Sequence, residues 1–327
     1  MKLKILFNGF RHGHIDTLYK KVSESDIASV AGCIENDEGA RLNAEKTLGA
    51  VFSDVSYDEW LKTDIDAVAV GNAYGDRGKV IIKALKAGKH VIADKPICTT
   101  LDELEEIHRL SNEKNLKIAC MLDLRYLPQS LKAKEILDSG SMGKIRNVSF
   151  NGQHCIDYAH RPLWYFEEGM HGGTVNDLAI HGIDLVRMMT GCEFVKTDGV
   201  RVWNSYAVKH PHFKDSAMFM ARLDSGAEVM ADISYSAPSQ VFSMPVYWQF
   251  MFWCDNGLLM FNYADNKVIV YKEGTTEAEI TECTAGPYDY LTEFVGQIDS
   301  NSRKMTENVI ASSRTALLIQ KEAEQNG

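Results

Sequence analysis

The stretch LKILFNGFRHGH, Leu3 to His14, decides how the first part of the chain is read. An almost unbroken apolar run, Leu3–Asn8, gives way to a glycine-containing turn and then to a helical segment, Ile15–Val22. Apolar runs without polar alternation suit parallel strands covered on both faces. A strand, a tight turn and a helix in that order open a nucleotide-binding unit, in which phosphate meets the amides of the helix N-terminus. The turn is Asn8-Gly9-Phe10-Arg11-His12-Gly13. Set against G-x-G-x-x-G with Gly13 last, the first two glycine positions hold Asn8 and Phe10, and Gly9 lies between them. By itself this fragment does not separate a dinucleotide turn from any strand-to-helix turn. Glu35 adds weight: it ends the run Ile27–Glu35, twenty-two residues beyond Gly13, where a carboxylate contacts the adenosine ribose. Such an acid repels a 2′-phosphate, so NAD is expected ahead of NADP, with Arg41 nearby keeping NADP open.

Working outward, strand-like and helical runs alternate. Gly39–Leu48 is helical, Ala50–Phe52 a short strand, Tyr57–Lys62 a short helix, Ala67–Gly71 a strand and Gly78–Ala87 a helix. His90–Ala93, Leu101–Asn115 and Lys117–Met121 continue as strand, helix and strand. This alternation predicts a doubly wound parallel sheet of the Rossmann type over 1–122. Beyond it, after a helix at Ser130–Asp138, strands dominate: Ile145–Gln153, Phe194–Trp203, Ala217–Leu223, Ala227–Ser234, Tyr247–Cys254, Leu258–Tyr263 and Lys267–Lys272. Asp224-Ser225-Gly226 and Asp255-Asn256-Gly257 read as hairpin turns. A helix at Val175–Thr190 interrupts the series, and helices at Tyr288–Ser300 and Asn308–Glu324 close it. The second domain, 123–327, is therefore expected to be α+β with a large, mostly antiparallel sheet.

Composition narrows the function classes. The 327 residues are 45% hydrophobic and 24% charged, with a net charge of -10, which suits a globular chain and speaks against nucleic acid as a main partner. Seven scattered cysteines without a C-x-x-C pair read as free thiols in a reducing compartment. The start of the chain lacks the features of a signal peptide and no run approaches a membrane span, so a cytoplasmic protein with no membrane partner is expected.

Two further constellations carry chemistry. Asp94-Lys95-Pro96 follows the strand His90–Ala93, at the carboxyl end where open α/β sheets bind ligands. A lysine held there can donate to a substrate hydroxyl. In the second domain, Gly172-Gly173 precede a helix on which Asp177 and His181 are four residues apart, one face of one turn. Histidine titrates where a base must take a hydroxyl proton. An acid and a histidine one turn apart also suit a metal, but no further ligand stands at convincing spacing, and no metal is expected.

Taken in order, these residues resemble the glucose–fructose oxidoreductase / inositol dehydrogenase (Gfo/Idh/MocA) family over nearly the whole chain. Ala87-Gly88-Lys89-His90-Val91-Ile92-Ala93-Asp94-Lys95-Pro96 is similar to its "aGkhVl-EKP" segment, with Asp94 in place of Glu. Arg125-Tyr126-Leu127-Pro128 resembles the start of its second domain, Gly140–Ile145 its "G-x-iG-x-i" turn, and Gly172-Gly173 through Asp177, His181 and Asp184 its "GG…D-x-x-x-H-x-x-D" helix. The resemblance implies hydride transfer between a nicotinamide cofactor and a hydroxyl or keto group of a sugar, inositol or related polyol. Lys95 would orient the reacting hydroxyl, His181 would be the acid/base, and Asp177 would orient both. Arg125 and Trp164 are substrate candidates, within a pocket lined by 154–171. A homodimer or homotetramer through the open face of the second sheet is implied, in keeping with the aromatic run Val246–Trp253. The sequence departs from the family at its first glycines, at Gly71-Asn72 in place of Thr-Pro, and at Arg77, near the place of a histidine; Gly71 and Asn72 are still expected at the cofactor. Two alternatives share the cofactor site: a glycoside-cleaving enzyme that oxidises its substrate transiently, and a dinucleotide-responsive regulator without turnover.

Overall fold

A computed structural model describes residues 2–286 and 288–325. The chain divides into two compact units. One comprises 1–122, 162–172 and 288–314; the other comprises 123–161, 173–287 and 315–327. The first crossing falls between Leu122 and Asp123, and two later segments join the N-terminal unit.

In the first unit, β1 (Leu3–Asn8), β2 (Ala28–Ile34), β3 (Ala67–Val70), β4 (His90–Ala93) and β5 (Ile118–Cys120) form one parallel sheet in the order β2-β1-β3-β4-β5. The order reverses at β1, so β1 and β3 diverge on either side of the switch point where such sheets take ligands. Ile5, Leu6 and Phe7 of β1 and all of β3 are fully buried, which explains their lack of alternation. The helices between these strands are α1 (His14–Ser23), α2 (Glu38–Leu48), α3 (Tyr57–Trp60), α4 (Tyr74–Lys86) and α5 (Leu101–Glu113). Asp37 and Thr100 cap α2 and α5 by accepting from Ala40 and Glu103 amides. The expected strand Ala50–Phe52 reduces to one bridge, Cys33 to Phe52. The edge strand β5 explains why a late segment belongs here: Ile118 donates its amide to Thr306 (2.9 Å) and its carbonyl accepts from Gln297 (3.2 Å). Side chains thereby satisfy backbone groups that no strand pairs.

In the second unit, eight strands form a sheet: β6 (Ile145–Gln153), β7 (Phe194–Trp203), β8 (Ser216–Leu223), β9 (Glu228–Ser234), β10 (Phe250–Cys254), β11 (Gly257–Phe261), β12 (Lys267–Lys272) and β13 (Glu279–Glu282). Their order is β13-β12-β11-β10-β6-β9-β8-β7, antiparallel throughout except for the parallel pair β6–β9. A single turn of the wider π-helix, Val175–Ala179, leads into α6 (Ile180–Thr190). Gly182 lets this helix press on the sheet, since a Cβ there would lie 2.1 Å from the Phe150 ring. The opposite face stays open: Met218, Met220, Met230 and Trp253 are each about half exposed.

Candidate functional site

At the carboxyl ends of β1 and β3 two backbones nearly touch. A Cβ on Gly9 would lie 2.5 Å from the Asn72 amide nitrogen, and one on Gly71 would lie 2.4 Å from the Gly9 carbonyl. Gly9 also has φ +91°, a conformation that glycine adopts without strain. Arg11 donates its amide to the Gly71 carbonyl (2.8 Å), and Gly71 donates to the Asn8 carbonyl (2.9 Å). Phe10, at the middle glycine position, turns its ring into the core against Phe7, Tyr19 and Phe52. Its bulk is therefore spent on packing. Glu35 accepts from the amides of Phe10 (2.6 Å) and Asp37 (2.8 Å), and Asp37 also pairs with Arg11 at 3.3 Å. Turn and acid are thus one hydrogen-bonded piece. No side chain caps the N-terminus of α1 at Gly13, and the buried Asn72 amide oxygen has no hydrogen-bond partner among the described residues. These features fit a dinucleotide: a glycine cradle, a helix N-terminus without a side-chain cap, and a ribose-type acid.

Asp94 is the hub of this unit's site. Fully buried, it accepts from Arg77 (2.7 Å) and His12 (2.7 Å) through Oδ2, and His14 Nδ1 lies 3.2 Å from Oδ1. Burial pushes the Asp94 carboxyl up, but Arg77, His12 and His14 together outweigh it and hold it well below the usual range. Burial lowers His12 to about 4 against the upward pull of Asp94, so at neutral pH its ring is uncharged and donates from Nδ1. Three atoms of metal-ligand type, from His12, His14 and Asp94, lie within 4.8 Å of one another. Arg77 already matches the charge of that carboxylate, and the cluster works as a hydrogen-bonded anchor. Lys95 is buried, its ammonium 6.0 Å from the Tyr74 ring centroid. Trp164 and Tyr165, from 162–172, pack on Tyr74 at 4.8 and 5.4 Å, and the Tyr74 and Tyr165 hydroxyls bond at 2.6 Å. Trp164 is a buried member of this cluster, with no partner for its Nε1 among the described residues.

In the second unit, Asp177 lies in the π turn and His181 in the first turn of α6. The expected plain α-helix is thus widened at the acid. Both residues are buried. Asp177 accepts from the Tyr235 hydroxyl, His181 Nδ1 lies 3.8 Å from Asp123, and its ring meets Trp248 edge-on at 5.6 Å. Arg125 pairs with Asp184 at 3.0 Å, both nearly buried. Sequence reasoning missed Tyr235, which carries no local motif, and Asp123, which lies just ahead of the Arg125 segment.

A parallel sheet with a nucleotide-type turn, and an open-faced sheet packed against the helix that carries Asp177 and His181, define the architecture of a two-domain dinucleotide-binding protein. Residues 7–121 match the oxidoreductase family with an NAD-binding Rossmann fold, and residues 130–260 match the Gfo/Idh/MocA C-terminal domain. The chain belongs to the Gfo/Idh/MocA family. The levoglucosan dehydrogenase of Pseudarthrobacter phenanthrenivorans is 30% identical over 142 residues, 42% of this chain and 36% of that protein. The scyllo-inositol 2-dehydrogenase (NAD(+)) of Bacillus subtilis is 26% identical over 188 residues, 57% of this chain and 54% of that protein. Neither match reaches two thirds of the relative's length. The solved structure of myo-inositol 2-dehydrogenase from Lactobacillus plantarum shares the fold, with a TM-score of 0.79, 18% identity, and 100% of this chain and 98% of that chain covered. Among the described residues no helix is long and apolar enough to cross a membrane.

Proposed function

We propose that the protein is an NAD-dependent dehydrogenase acting on a hydroxyl group of a sugar, inositol or related polyol. The observation that carries this reading is the Gly9–Gly71 close approach beside Glu35 and the Asp94-Lys95 turn. When bound, NAD supplies the acceptor for a hydride. Asn72, His12 and Gly13 line the turn that receives its phosphates and ribose, and Glu35 favours the unphosphorylated ribose. Lys95 donates to the substrate hydroxyl and orients it. His181 takes the hydroxyl proton, and Asp177, fixed by Tyr235, orients that histidine and the substrate. Arg125 acts through Asp184, and Trp164 shapes the pocket by backing Tyr74. The carbohydrate dehydrogenases among its relatives support the substrate class. A second copy of the chain covers the open sheet face, whose Met218, Met220, Met230 and Trp253 would otherwise remain in water.

The test is NADH formation by the purified chain across sugars and inositols, with Lys95→Ala and His181→Ala alongside. Each variant is expected to lose at least ~100-fold in kcat/KM. Unimpaired turnover in both would refute the assigned roles. Release of an aryl aglycone without net NADH would move the reading to glycoside cleavage, and NADH binding without turnover of any substrate would move it to a regulator.

A further inference from the structure

Arg77 is the largest buried charge that the reaction above leaves unused. It sits on the inward face of α4 with no exposed surface. A buried guanidinium is tolerated only if its donors are satisfied and its charge is matched. Here Nε donates to the Asn72 carbonyl (2.8 Å), Nη1 to the carbonyls of Lys95 (2.5 Å) and Pro96 (3.1 Å), and Nη2 to Asp94 (2.7 Å). Its face lies 4.4 Å from the Tyr74 ring centroid, the same ring that Lys95 approaches at 6.0 Å.

These partners are not a random set. Asn72 leaves β3, and Asp94, Lys95 and Pro96 leave β4, so one planar fork fixes the exits of two adjacent strands at the ligand-binding end of the sheet. Through the shared carboxylate of Asp94, His12 ties the turn after β1 to the same fork. A planar fork with several rigidly spaced N–H groups grips three carbonyls and a carboxylate at once, a geometry that the point-like ammonium of a lysine does not reproduce.

We propose that Arg77 is a positioning residue, whose guanidinium sets the backbone from which Lys95 projects and holds Asn72 in the same frame. The inference rests on the reading of Lys95 as the residue that orients the substrate hydroxyl. Arg77 touches neither substrate nor cofactor; it acts through the carbonyls it grips. A fork shortened to a lysine keeps the charge opposite Asp94 and releases the carbonyls. Lengthening Asp94 to glutamate keeps both charges and displaces the fork.

The experiment is competitive acetylation of the full chain by acetic anhydride across pH, read residue by residue in the mass spectrometer. Lys46 and Lys62, both exposed, serve as internal references. Arg77→Lys and Asp94→Glu are compared with the wild type, each checked for a cooperative melt. The expected result is that the labelling rate of Lys95, relative to the two references, changes at least ~10-fold in both variants, one pKa unit or its equivalent in access. A buried arginine that merely fills space would leave that ratio alone. A ratio within about twofold of wild type in a folded variant, or loss of folding in both, would overturn the proposal. The labelling needs no dinucleotide, so a wild-type chain that fails to bind NADH would refute the dehydrogenase reading without touching this result.

Discussion

Gly71→Ala tests the geometry on which the cofactor site depends. The added methyl would lie 2.4 Å from the Gly9 carbonyl oxygen and 2.6 Å from Cγ1 of Ile15. Ordinary contact requires about 3.4 Å, so the turns after β1 and β3 must part by about 1 Å. The hydrogen bonds from Gly71 to Asn8 (2.9 Å) and from Arg11 to Gly71 (2.8 Å) bracket the contact, and a shift of that size breaks both. Two lost bonds cost about 2 kcal/mol and overpacking adds roughly 1 to 3 kcal/mol, giving a total of about 3 to 5 kcal/mol. Scanning calorimetry should show the transition of the N-terminal unit about 10 °C lower, and NADH fluorescence titration should show weakened binding. Gly88→Ala is the control: its φ of +78° is strained for alanine, but no atom lies within 4 Å, so it should cost only about 1 kcal/mol and leave NADH binding intact. A Gly71→Ala protein as stable as the Gly88→Ala protein, with wild-type NADH affinity, would refute the close-approach argument.

Stability should also depend on pH through His90, which accepts the Lys117 amide at Nδ1 (2.9 Å) and is lowered to about 4 by burial and then by Lys117. The unfolded chain takes this proton near 6.5 and the folded chain near 4, so stability is full above about 6.5 and falls as pH falls; between pH 7 and 5 the loss is about 2 kcal/mol, and His90→Asn should remove it in urea titrations. Tyr235→Phe removes the donor to Asp177 and should lower kcat by about tenfold with little change in KM for NAD, since it acts on the orientation of an acid; an equal loss in both would point to general disruption. Glu35→Ala frees the Phe10 and Asp37 amides and removes the charge that repels a 2′-phosphate, and should shift the NADH/NADPH affinity ratio toward NADPH by about tenfold.

How much of this was legible in the chain depends on how far apart the causes lie. β1, its turn and α1 could be read because an apolar run, a glycine and an amphipathic stripe are local signals. The helix holding Asp177 and His181 could be read for the same reason, though not its π turn. β13 escaped because Glu279–Glu282 is a polar edge segment made a strand by pairing with β12. The placement of 288–314 escaped because its cause is Gln297 and Thr306 satisfying Ile118, about 180 positions away.

Arg77 lies between these cases. On α4, Tyr74, Arg77, Gly78, Ile81, Ala84 and Leu85 form the buried stripe, so a cation lies on the apolar face of an amphipathic helix, in the turn ahead of Gly78 where the sequence reading starts that helix. A charge there demands a buried counter-charge, and Asp94, the acid just past the strand His90–Ala93, meets that demand. The two positions at which the sequence departs from the resemblance, Arg77 and Asp94, are thus in direct contact, Nη2 of one donating to Oδ2 of the other at 2.7 Å. A buried pair is set by the summed reach of its two side chains, so a change of length at one position displaces the other.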